Sequence, residues 1–387
     1  MTKAILIPVY LRLKNSKELP LSEGVQLTRR AIQSLKILRD EDFTLVLLVC
    51  FDLPEGEKEN SLSEMDRAFR EEIRAFGMKR VFLFSSLNLK GLRNYLDNRN
   101  FREFSSLIDL KGFSKIRNTG LLLAQALSME AALFIDNDEV IEDPDFLNIA
   151  CEHLHEEWNG KVVSGKGGFY VNRDGKILLP RQHLWWRFLW NKAKWMNQVW
   201  EKILSSRDRL VSSPLLLGGN LVLHSSLFQG IPFDPFIPRG EDTDYLINAY
   251  RGGFSLFFDP KLRIRHLHPE RTTTFYNEEL RGDIERFLYE REKVKEGFDL
   301  DLDPYPGYFL KGTLPLKAFL TSFFLSLDHL ARGDWDAARK SLENLSLLFQ
   351  KKEGGWGKYS PFRADWEKAM GQIRKEGLDA ILGGCQI

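Results

Sequence analysis

Apolar positions along the first 140 residues alternate between two rhythms. Unbroken apolar runs at 4–10 (AILIPVY), 43–52 (FTLVLLVCFD), 80–86 (RVFLFSS) and 132–136 (ALFID) have the length and composition of strands buried on both faces. Between them, 26–38 repeats apolar residues at helical spacing, with Ile32, Leu35 and Leu38 on one face. A second helix carries Met65, Phe69, Ile73 and Phe76 behind the capping-box spacing of Ser61 and Glu64, with Gly77 placed to close it. A third spans 114–129. Strands that alternate with helices in this way predict a parallel sheet covered on both faces. In such sheets ligands bind beyond the carboxyl ends of the strands, where Asp52 and Asp136 fall.

After residue 143 the rhythm changes. Residues 161–179 read as a strand, a turn at Asp174 and Gly175, and a second strand; 182–206 as a tryptophan-rich helix; 214–228 as another apolar run. A helix at 241–251 precedes two short strands, FSLFFDP and LRIRHLH. From Thr273 the pattern is helical, with a linker at 302–307 and an antiparallel pair, 316–331 and 335–349, turned at Gly333 with Asp334 as N-cap. The predicted architecture is α/β: a mostly parallel sheet flanked by helices over 1–275, divided near residue 145, then a C-terminal helical extension over 276–387.

Composition narrows the function classes. At 43% hydrophobic and 28% charged residues the chain has the make-up of an ordinary soluble protein. Lys plus Arg number 55 and Asp plus Glu 54, so no net field points to nucleic acid. Three scattered cysteines without CxxC spacing argue against a disulfide framework or cysteine zinc site and fit a reducing cytosol. The opening apolar run is followed at once by charges and lacks a small-residue cleavage site, so it reads as a first strand rather than a secretory signal. No apolar stretch reaches the roughly 18 residues of a membrane helix. The expected location is cytoplasmic; peripheral contact with the inner face of a membrane and a homodimer through the C-terminal helices both stay open.

Three acidic or histidine-bearing stretches carry candidate chemistry. Asp136, Asn137 and Asp138 at a strand end suit a simple turn, or a divalent cation bridging a diphosphate, since hard cations take carboxylate oxygens. In PRGEDTDYLINAYRGG, Glu241, Asp242 and Asp244 occupy the first turn of a helix, where they complement its dipole or supply a general base. In RIRHLHP, His266 and His268 share one side of a strand, so either can offer an imidazole to a metal held by Asp138. The segment HLWWRFLWNKAKWMNQVWEKI suits an amphipathic helix packed on the domain, an acceptor wall, or a lipid-facing lid.

In combination and order, ILIPVY, RNTG (117–120), FIDNDE, GGNLVLHSSLF, FDPFIPRGEDTDYLINAYRGG and the histidine strand resemble the family 2-like glycosyltransferases with the GT-A fold, over roughly residues 1–270. The resemblance implies a nucleotide-sugar half before residue 145 and an acceptor half after it. It further implies transfer of a sugar, dependent on Mn²⁺ or Mg²⁺, from a nucleotide-diphosphate sugar (UDP or GDP) to a hydroxyl acceptor, with inversion and Asp242 as base beside Glu241. Asp138 with His266 or His268 would hold the metal. Pro8, Tyr10, Asp52, Arg117, Asp136 and Asn137 would meet the donor; Gly218, Gly219, Asn220, Trp185 and Trp186 would meet the acceptor. The second strand departs from the pattern, ending in CFDLPEGEKEN without the acidic-Gly-Ser run of many members.

Three rivals are weaker. FIDNDEV also fits the motif of haloacid dehalogenase-like phosphotransferases, which place it on their first strand with the first Asp as nucleophile. A sugar nucleotidyltransferase needs a glycine-rich loop after strand one, and 11–24 holds only Gly24. A non-catalytic sugar-binding module would keep the fold without the chemistry. SGKGG lacks P-loop spacing and reads as turn-forming, and nothing from residue 276 onward suggests chemistry.

Overall fold

Alternate residues of β1 (Lys3–Arg12) enter different cores: Ala4 and Leu6 pack on one side of the sheet, Ile5, Ile7 and Val9 on the other. The computed structural model describes residues 1–13, 19, 22–53, 59–180, 184–267, 276–294, 301–349, 355–377 and 385–386. Strand β2 (Thr44–Asp52) is buried at every position but Asp52, which explains its unbroken apolar run. With β3 (Val81–Ser85) and β4 (Ala131–Phe134) these strands pair in parallel in the order β3-β2-β1-β4. Helices α1 (Glu23–Leu35) and α2 (Glu59–Arg74) cover one face. The other is covered by α3 (Ser86–Asp97), α4 (Arg102–Ser106) and α5 (Phe113–Ala126). Neither α3 nor α4 is among the predicted elements, and α2 already runs from Glu59, so Ser61 lies inside it rather than at its cap.

The second half extends the sheet. After β5 (Glu139–Val140), α6 (Phe146–Cys151) and β6 (Glu157–Trp158) come β7 (Lys161–Val171), α7 (Lys192–Ser205) and β8 (Val211–Ser212). Then follow β9 (Leu221–His224), α8 (Ser225–Phe228), α9 (Glu241–Arg251) and β10 (Ser255–His266). The order runs on as β4-β9-β7-β10-β5. Strand β9 is antiparallel to both β4 and β7, while β10 is parallel to β7, so the sheet is mixed with its longer ladders parallel. Chain direction reverses between β4 and β9, the kind of switch point at which α/β sheets open a cleft.

Four local expectations change. The turn at Gly175 forms, with φ +77°, but 176–180 make no strand. SGKGG lies inside β7 rather than in a turn, because a Cβ at Gly168 would stand 2.0 Å from the Leu262 carbonyl oxygen of the neighbouring strand. FSLFFDP and LRIRHLH are one strand, β10, with a register shift between Phe258 and Arg263 where Pro260 has no N–H to donate. At that shift Asp259 turns inward to the buried Lys166, whose Nζ also donates to the carbonyls of Ile149 (2.7 Å) and Glu152 (2.5 Å). The tryptophan-rich segment is a 3₁₀ turn at Trp185–Arg187 followed by α7, not one helix.

Downstream lie α10 (Tyr276–Val294), α11 (Gly307–Leu310), α12 (Leu314–Ala331), α13 (Trp335–Glu343), α14 (Ser346–Phe349) and α15 (Gly355–Glu376). Helices α12 and α13 pack together across the turn at Gly333 (φ +78°), where Asp334 accepts from the Ala337 N–H. These helices share the core of the sheet domain. Phe362 stacks on Phe104 at 5.1 Å between centroids, and Trp366 donates its indole N–H to the Phe228 carbonyl at 2.8 Å. No helix among the described residues is long and apolar enough to cross a membrane.

Candidate active site

Sheet register builds the centre of the site. Phe134 pairs with Leu221 in antiparallel fashion, so two residues beyond the end of β4 Asp136 comes close to Gly219. Arg117, one turn into α5 and almost wholly buried, reaches into this junction. Its Nη2 donates to Asp136 Oδ1 (3.0 Å), its Nη1 to the Gly218 carbonyl (2.8 Å) and its Nε to Glu241 Oε1 (3.3 Å). Burial opposes the charge, but Asp136 and Glu241 outweigh it and raise the guanidinium above its ordinary value.

Both glycines follow from this packing. A Cβ on Gly218 would lie 2.8 Å from Arg117 Nη2. One on Gly219 would lie 2.3 Å from Glu139 Oε1 and 2.6 Å from Asp136 Oδ2. Gly219→Ala is therefore expected to displace Asp136, lowering stability by about 1–3 kcal/mol and weakening donor binding at least tenfold. Thermal unfolding and calorimetric titration check the two effects separately, and an unchanged affinity would refute the placement of Asp136.

Of the three acids opening α9, two are engaged. Glu241 is tied to Arg117, and burial raises its pKa against that pull. Asp244 is bound by the buried Lys293. Asp242 forms no ion pair among the described residues; it accepts from the Thr243 N–H (2.7 Å) and lines a cavity of about 290 Å³ with Arg117, Asp136 and Gly218.

The proposed metal ligands also meet. Pairing of β10 with β5 sets His266 opposite Glu139 and brings its Nε2 to 3.3 Å from Asp138 Oδ2, with the ring stacked on Tyr170 at 4.8 Å. His268 lies outside the described residues. Among those residues no group of three or more metal-ligating side chains gathers. A carboxylate and an imidazole nonetheless suit Mn²⁺ or Mg²⁺, which keeps most of its coordination for phosphate and water.

The other candidates divide. Asp52 accepts from Tyr10 and from Lys111 Nζ (2.7 Å) at the carboxyl ends of β1 and β2; Lys111 and then Tyr10 hold its pKa low. Burial, then the bond to Asp52, pushes Tyr10 up to about 12. Pro8 sits within β1 opposite Leu48. Asn137 turns away to the Gly24 carbonyl (3.4 Å) and Thr28 Oγ1 (3.3 Å), anchoring α1. Asn220 is fully buried and donates to the Phe169 and Leu262 carbonyls, tying the lead-in to β9 to β7 and β10. Trp186 is buried, Trp185 donates to Asp328 Oδ1 (2.7 Å), and neither lines the cavity; Lys192 and Met196 from the same segment do.

Three residues of the site escape the sequence analysis. Glu139, next to the acidic motif, is fully buried; its Oε2 accepts the Asp136 N–H (2.9 Å), and burial followed by the Asp136 charge raises its pKa well above the carboxylate range. Arg286 and Tyr305, from the region that offers no motif, also line the cavity.

No protein-family model matches the chain, and no curated protein does. Among solved structures it is similar to a mannosyltransferase from Pyrobaculum calidifontis in complex with GDP-Man and Mn²⁺, at 11% identity and a TM-score of 0.49 over 97% of this chain and 87% of that one. It is also similar to GalNAc-T7 with UDP, GalNAc and Mn²⁺ (14% identity, TM-score 0.43, 100% of this chain and 58% of that one). A third is glucosyl-3-phosphoglycerate synthase from Mycobacterium tuberculosis (17%, 0.39, 78% and 80%).

Proposed function

We propose that the chain transfers a sugar from a nucleotide-diphosphate sugar to a hydroxyl acceptor. The observation that carries this reading is the convergence of Asp136, Arg117 and Asp242 on one cavity at the strand reversal, with Asp138 and His266 3.3 Å apart beside it. Tyr10 and Asp52 would receive the nucleoside at the ends of β1 and β2, and Asp136, fixed by Arg117, would orient the donor sugar. Asp138 and His266 would hold Mn²⁺ or Mg²⁺, which as a Lewis acid neutralises charge on a departing diphosphate. Asp242, the carboxylate in the first turn of α9 that forms no ion pair among the described residues, would take the acceptor proton as its oxygen attacks the anomeric carbon, giving inversion.

Calorimetric titration of UDP, GDP, CDP and their sugars, with Mn²⁺ and with EDTA, tests the donor site. Binding of one nucleotide is expected with metal and is expected to disappear in EDTA and in Asp138→Ala while the unfolding midpoint holds. Silence across the whole panel would overturn the reading.

A further inference from the structure

The cavity that holds Asp242 is also lined by cations from three elements: Lys192 at the start of α7, Arg239 just before α9, and Arg286 in α10. Two carboxylates stand behind them. Asp283 serves both Lys192 (2.8 Å) and Arg239 (3.5 Å), and also accepts the Trp190 indole N–H (3.4 Å). Glu290 takes Arg286 Nε at 2.8 Å. With Asp242, whose charge also acts on Arg286, three carboxylates stand around these three cations. Arg286 is 5% exposed, and after its Nη1 reaches the Tyr305 hydroxyl (3.2 Å) its Nη2 has no hydrogen-bond partner among the described residues.

That arrangement is costly without an occupant, because a buried guanidinium N–H left unpaired forfeits its hydration. Burial also raises Glu290 to about 7 despite Arg286 beside it. Gly240 keeps the guanidinium close to the base: a Cβ there would stand 2.1 Å from Arg286 Cζ, and φ of +72° suits glycine as well.

We propose that the acceptor bears an anionic group, phosphate or carboxylate, bound by Arg286 and Arg239 with Lys192 so that its hydroxyl faces Asp242. This rests on the transfer reading above and names the acceptor class for it. Planar guanidinium groups match the paired oxygens of such anions, and a second anion close to Asp242 would otherwise be repelled. The anion has two sources, a soluble metabolite or a lipid headgroup. The lipid source has a surface to meet, since Trp185 and Phe188, which precede Lys192, are more than half exposed and pack on Phe324 of α12, a helix that also exposes Phe319 and Phe323.

The test uses the full chain saturated with its nucleoside diphosphate and Mn²⁺, titrated calorimetrically with glycerol 3-phosphate, glycerate and glycerol. Both anions should bind at least tenfold more tightly than glycerol, and Arg239→Gln, at a side chain one-third exposed, should abolish that preference while leaving nucleotide binding intact. Arg286→Lys, which keeps a charge for Glu290 but loses the fork, should weaken the anions as well. In a parallel arm, sedimentation with phosphatidic acid vesicles but not phosphatidylcholine vesicles, lost in Arg239→Gln, would assign the lipid source. Equal binding of glycerol and the anions with no vesicle selectivity overturns the proposal, as does anion binding that nucleotide and Mn²⁺ displace, which would place the donor's diphosphate in this pocket. Failure of every nucleotide to bind sinks the transfer reading instead; Arg239-dependent binding of glycerol 3-phosphate to the nucleotide-free chain would still establish the anion subsite.

Discussion

Asp242→Asn is expected to lower the transfer rate by about 10²–10⁴-fold, the contribution of a positioned general base, while nucleotide affinity and the unfolding midpoint stay at wild-type values. The amide keeps the acceptor side of Thr243 N–H and fills the same space, so packing of α9 is preserved. What disappears is the capacity to accept a proton. Glu241 is not expected to substitute, because its carboxylate is buried and paired with Arg117. A single-turnover assay with the donor identified by calorimetry separates chemistry from binding. Transfer within a factor of three of wild type would eliminate Asp242 as base and with it the inverting mechanism.

The largest stability effect is expected at Lys293, a fully buried ammonium that joins α9 to α10. Its Nζ lies 2.5 Å from Asp234 Oδ2, 2.6 Å from Asp244 Oδ1 and 3.2 Å from Asn248 Oδ1. Lys293→Met leaves two carboxylates without a counter-charge, and breaking a buried pair in this way costs about 3–5 kcal/mol, against the roughly 5–15 kcal/mol that a folded protein has in total. Burial, partly offset by Lys293, already raises Asp244 to about 6. A carboxylate raised above its unfolded value near 3.8 stabilises the fold below that value and loses the contribution as pH rises through the folded one. Without the lysine Asp244 rises further, so the variant's deficit should be greatest near pH 7 and shrink towards pH 4. Urea unfolding at three pH values reads both effects; a loss under 1 kcal/mol at pH 7 would refute them. Asp234→Asn with Asp244→Asn in the same chain should restore most of the stability.

What the sequence makes readable here follows the range of the forces involved. Strands β1, β2 and β4 announce themselves because burial on both faces demands consecutive apolar residues, and strand ends then fix where Asp52 and Asp136 emerge. The approach of His266 to Asp138 follows from one sheet register. Within β7 the glycines of SGKGG look like a turn because the crowding that requires them, such as the Leu262 carbonyl against Gly168, comes from strands distant in sequence, and β10 looks like two strands because Pro260 interrupts its ladder. Glu139 and Arg286 are unreadable for a related reason. An acid in an acidic motif and an Arg–Glu pair four apart on a helix ordinarily face water, and only the tertiary fold removes it from both.

Arg117 sets a length within the site. Its three nitrogens are joined through one carbon in a rigid plane, and they hold the end of β4, the lead-in to β9 and the start of α9 together. The separation of Asp136 from the first turn of α9 is therefore gauged by covalent bond lengths on one side chain, which do not relax with temperature or with substitutions in the surrounding core. A lysine there would keep the charge and lose the measure.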